Sequence, residues 1–108
     1  MAVACNRKVL VRECKSPGNF VWLVSGFRDE PGKAWSHRPI AEGERPTHLW
    51  LIEPDGRAAK IAIRPEVQLN GASWEWDGDL EKPTLSPSIN AGKGGWHGWL
   101  RAGEMTDA

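Results

Sequence analysis

The chain has no tyrosine and only two phenylalanines, so its aromatic packing must come almost entirely from seven tryptophans. It also lacks a charge excess. Lysine plus arginine is 14 and aspartate plus glutamate is 14, which removes any bulk electrostatic pull toward nucleic acid or an anionic membrane. No apolar run approaches the ~20 residues of a membrane-spanning helix. Cys5-Asn6-Arg7-Lys8 interrupts the apolar stretch that a secretory signal would need. The expectation is a cytoplasmic protein with neither a nucleic-acid nor a membrane partner. Cysteine is scarce: Cys5 and Cys14 stand alone, with no Cys-x-x-Cys and no Cys/His cluster. That argues against a structural zinc site and for two free thiols in a reducing compartment. Neither cofactor nor metal is expected. Sustained helical periodicity, internal repeats and low-complexity tracts are missing too.

What is present is punctuation. Twelve glycines and eight prolines recur at short intervals along 108 residues, a pattern of many short strands and tight turns. The length suits one domain with a modest core. The expected fold is all-β: a small, mostly antiparallel sandwich or partly open barrel spanning residues 1–108.

Residues 7–13 read as a first strand and 20–27 as a second. Ser16-Pro17-Gly18-Asn19 lies between them as a turn, which suggests a hairpin. Residues 28–46, with Trp35, His37 and three prolines, are the least regular part. A loop of that length is usually functional or mobile. The clearest hairpin follows: a strand over 47–53, the turn Pro54-Asp55-Gly56, and a return strand over 58–63. Alternation puts Leu49, Leu51 and Glu53 on one face and His48, Trp50 and Ile52 on the other. Glu53 thus closes an apolar face, where a solvated strand end is the ordinary outcome. Residues 64–72 read as a connector. Ser73-Trp74-Glu75-Trp76-Asp77 alternates by twos, pairing Trp74 with Trp76 as packing residues. Residues 97–101 read as a last strand, a turn begins at Ala102-Gly103-Glu104, and 105–108 are expected to fray.

The chemistry concentrates in Lys82-Pro83-Thr84-Leu85-Ser86-Pro87-Ser88-Ile89-Asn90 and the following Gly94-Gly95-Trp96-His97-Gly98-Trp99-Leu100. A serine becomes a nucleophile at neutral pH when a base stands within reach, and works best when a third group orients that base. Ser86 and Ser88 flank Pro87, which disfavours helix before it. His97 follows one tight loop later, beside Gly98, a small neighbour expected to leave room for substrate. Backbone N–H groups of 90–92 or 94–95 are expected to serve a developing oxyanion. A metal site joining His97 with Glu53, Asp55 or His48 uses suitable ligand types, but no spacing defines one. The competing function is a non-enzymatic protein-binding β module that presents a tryptophan-rich face.

These motifs, together with the hairpin around Pro54-Asp55-Gly56, Trp74-Glu75-Trp76-Asp77-Gly78 and Gly103-Glu104, resemble the BubE peptidases encoded with bacterial ubiquitin-like conjugation systems. The resemblance covers about residues 47–104. It is most specific at the Pro-Ser-Ile tripeptide of 87–89 and at the later histidine. It implies a serine peptidase that processes a ubiquitin-like protein or releases it from conjugates, with Ser88 as nucleophile and His97 as base. Relatives of the defence-operon type carry a Cys-Pro-Cys-Gly-like turn and a cysteine shortly before the histidine. Here the turn is Glu53-Pro54-Asp55-Gly56, and no cysteine stands shortly before His97. Glu53 then becomes the acid expected to orient His97.

Overall fold

A computed structural model describes residues 2–25, 37–92 and 94–108. Trp35 and the first part of the long irregular segment fall outside these residues.

Among the described residues, ten strands form two sheets. β1 (Ala2–Ala4), β7 (Glu75–Trp76), β8 (Leu85–Asn90), β9 (His97–Arg101) and β10 (Glu104–Asp107) make the first, in the order β1-β10-β9-β8-β7. β2 (Asn6–Arg7), β3 (Asn19–Ser25), β5 (His48–Ile52) and β6 (Ala58–Ala62) make the second in that order, and β4 (His37–Pro39) also pairs with β3. All pairings between these strands are antiparallel except β2 with β3. Neither sheet closes into a barrel, so the expected all-β fold takes its sandwich form.

The core lies between the sheets. Phe20, Trp22, Leu49, Leu51, Ile61, Ile63 and Trp74 come from one side, and Leu85, Ile89, Trp96, Leu100 and Met105 from the other. Alternating side chains of two inner faces interdigitate in this way in sandwiches generally. Trp22 and Trp76 meet with ring centroids 4.7 Å apart. The buried indole N–H of Trp22 donates to the Leu80 carbonyl at 2.8 Å, so a large apolar side chain is placed without orphaning its polar atom.

The predicted hairpin over 47–63 forms, with Leu49 opposite Ile61 and Leu51 opposite Ala59. Two expectations at the chain ends fail. Residues 8–13 are not strand: Val11–Glu13 form a 3-10 turn. There the Glu13 carboxylate accepts the N–H groups of Val9 at 3.1 Å and Leu10 at 2.8 Å. A side chain that captures nearby backbone donors competes with sheet pairing. The short β2 accordingly runs parallel to β3 and forms no hairpin with it. At the other end, 104–107 do not fray. β10 lies between β1 and β9, with Met105 wholly buried.

Candidate active site

The element that builds the site is an irregularity in β8. Leu85 pairs with Leu100 and Ile89 with Gly98. Four steps along β8 therefore face two along β9, and the intervening Ser86-Pro87-Ser88 forms a bulge. Bulges re-aim side chains and occur often beside active sites. Pro87 has no N–H to give to a ladder, which is why a proline is tolerated here. Ser86 takes the outer side of the bulge, paired with Glu75 of β7.

Ser88 and Asn90 flank the buried Ile89, and His97 precedes the buried Gly98. Alternation therefore sends Ser88, Asn90 and His97 to the outer face of this sheet. On that face the Ser88 hydroxyl and His97 Nε2 stand 3.1 Å apart. Asn90 lies directly opposite His97 in the ladder. Trp99, two residues after His97, is half-buried, with the Arg101 guanidinium 4.2 Å from its ring centroid. Hydrogen bonds to both backbone carbonyls brace the pair. Trp74 donates its indole N–H to the Ser88 carbonyl at 3.3 Å, and Ala108 N–H donates to the His97 carbonyl at 3.1 Å.

The structure thus brings Ser88 and His97 together, and no hydrogen bond joins Ser86 to either among the described residues. Glu53 is buried. It is 1% exposed rather than a solvated strand end, and no hydrogen bond joins it to His97 among the described residues. Its Oε2 has no hydrogen-bond partner there. Burial, reinforced by the nearby Asp55 charge and partly opposed by Arg57, raises its carboxyl from 4.5 to about 7. It lines an open cleft of about 340 Å³, which Trp74, Ile89 and Asn90 also line. His48 belongs to a different neighbourhood, 4.7 Å from His37 between ring centroids, with Nδ1 at 2.9 Å from the Thr47 hydroxyl.

One finer expectation is corrected and another is narrowed. Gly98 does not clear space for substrate. It faces inward, where an added Cβ would overlap the Trp96 ring and the Thr106 carbonyl, so its missing side chain makes room for Trp96. The backbone N–H groups of Ala91, Gly92 and Gly95 are already engaged, by the Trp96 carbonyl at 2.9 Å, Asn90 Oδ1 at 2.9 Å and the Gly92 carbonyl at 3.0 Å. These three hold the bend together instead of pointing free donors at a substrate. Asn90, which carries a side-chain donor and pairs with His97, was not singled out as an individual residue. Its place two positions after Ser88 was the available signal.

A hydroxyl in hydrogen-bond contact with an imidazole is one element that a serine hydrolase requires. Comparison with known families agrees: residues 25–107 match the family described as bacterial ubiquitination-like system serine protease (BubE). The chain belongs to the BubE family, and is therefore assigned to a class of hydrolases. Neither a curated protein nor a solved structure matches it.

Proposed function

We propose that the protein cleaves the peptide or isopeptide bond at the tail of a bacterial ubiquitin-like protein, processing its precursor or releasing it from conjugates. Ser88 is the nucleophile and His97 the base. The observation that carries this reading is the 3.1 Å contact between the Ser88 hydroxyl and His97 Nε2, within the range that proton transfer needs. The family supplies the reaction class and the setting in a ubiquitination-like system.

In this mechanism His97 Nε2 takes the hydroxyl proton as Ser88 Oγ bonds to the scissile carbonyl carbon. The tetrahedral intermediate collapses, and His97 returns the proton to the departing amine. Water then enters by the same route and releases the acyl group. The dyad carries the proposal, and no bonded third member is needed to state it. The outer face leaves room for a thin, extended tail to reach Ser88 without entering the core.

The test is labelling with a fluorophosphonate probe together with cleavage of a ubiquitin-like fusion. Ser88→Ala should lose both and keep its circular dichroism spectrum. Ser86→Ala should keep both. Normal cleavage by Ser88→Ala would exclude Ser88 as nucleophile.

A further inference from the structure

We infer that the side-chain amide of Asn90 is the oxyanion donor of this site, an inference that rests on the reading of Ser88 and His97 as the catalytic pair. Asn90 is two residues beyond Ser88 on the same outer face, and it is the ladder partner of His97. Cross-strand partners hold their Cβ atoms about 5 Å apart. A carbonyl carbon attacked by Ser88 beside His97 therefore comes within reach of the Asn90 side chain.

The orientation of the amide is set by its other end. Asn90 Oδ1 accepts the Gly92 N–H at 2.9 Å. With the oxygen occupied, the donor end of the group is Nδ2. Asn90 is exposed, and no partner holds that NH₂ among the described residues. Three nearby backbone donors, those of Ala91, Gly92 and Gly95, are engaged within the bend. The same bond that starts the bend thus presents a fixed side-chain donor on the face where negative charge develops. As Ser88 Oγ bonds to the carbonyl carbon, the π pair moves onto the carbonyl oxygen, and Asn90 Nδ2–H donates to it. When the intermediate collapses the pair returns, the bond to the leaving group breaks, and the proton held by His97 follows the leaving group. A donor placed before the charge appears needs no rearrangement during the reaction.

The test uses the full chain and the activated ester N-acetylglycine p-nitrophenyl ester. Asn90→Asp keeps an oxygen for the Gly92 N–H but removes the donor; Asn90→Ala removes both. Both variants should lower kcat on the order of 100-fold with KM changed less than about threefold. Asn90→Asp should also keep the wild-type melting temperature, which separates loss of the donor from loss of the bend. Ser88→Ala is run alongside. If Ser88→Ala hydrolyses the ester like the wild type, the catalytic pair itself is wrong and the inference falls with it. If hydrolysis depends on Ser88 but Asn90→Asp keeps kcat within about threefold of wild type, or loses only in KM, the Asn90 assignment alone is overturned.

Discussion

Trp74 ties the backbone of Ser88 to the opposite sheet. Its own backbone belongs with the second sheet, where its N–H donates to the Ala62 carbonyl at 3.0 Å and its carbonyl accepts the Arg64 N–H at 3.0 Å. Its indole N–H crosses to the Ser88 carbonyl at 3.3 Å. Ser88 is thereby anchored through a side chain that is 8% exposed. Trp74→Phe keeps most of the apolar surface and removes this donor. The expected result is a loss of about 1 kcal/mol of stability and a several-fold lower kcat on the N-acetylglycine ester at similar KM. Unchanged turnover would mean that Ser88 is held by the bulge alone.

Glu53 makes stability depend on pH. Its folded value of about 7 lies above the ordinary 4.5. Between those values the folded chain holds a proton that the unfolded chain has released, so this group makes stability fall as pH rises through that window. Glu53→Gln keeps the shape and removes the titration. It should be more stable than wild type at pH 8, by an amount on the order of 2 kcal/mol, with much of that gain lost by pH 5. Urea unfolding at the two pH values measures this. A wild type more stable than Glu53→Gln at pH 8 would show that the ionised carboxylate has a favourable partner.

His48 acts in the opposite sense. Burial first, then the neighbouring His37 and Lys60, lower it from 6.5 to about 4. Between those values the unfolded chain binds the extra proton, so stability is present above about 6.5 and lost as pH falls toward 4. His48→Gln should lose less stability than wild type between pH 6.5 and 4. Equal losses in the two proteins would place the acid sensitivity elsewhere. From pH 4.5 to 6.5 the Glu53 and His48 contributions oppose each other, and either variant should expose the slope of the remaining group.

Gly98→Ala probes the floor under His97. The added methyl has no space beside the Trp96 ring and the Thr106 carbonyl, and overpacking of this kind costs about 1–3 kcal/mol. Thermal unfolding should show that loss. A stable Gly98→Ala with weakened substrate binding would restore the substrate-facing role expected from sequence.

The all-β class, the 47–63 hairpin and the Ser88–His97 candidate pair were legible because each rests on local signals: turn residues, alternation and a motif of a few positions. Alternation also put Glu53 on the same face as Leu49 and Leu51, and all three are buried. It could not show what stands opposite that face, so a carboxylate expected at the solvated rim is enclosed instead. The N-terminal misreading has the same origin. The apolar residues 9–11 look like strand until the Glu13 carboxylate takes two of their N–H groups. Residues 105–108 looked like a loose tail because their two partners, β1 and β9, include the far end of the chain.

The sequence by itself determined that this is a β protein with a serine and a histidine separated by one tight bend. Tertiary structure decided that they meet. The bulge at 86–88 changes the register of β8 against β9, and register decides which face each later side chain occupies. It likewise decided that Asn90 lies across from His97 while Gly98 turns toward Trp96. Those relations depend on pairing across strands and packing between sheets, which spacing along one chain does not encode.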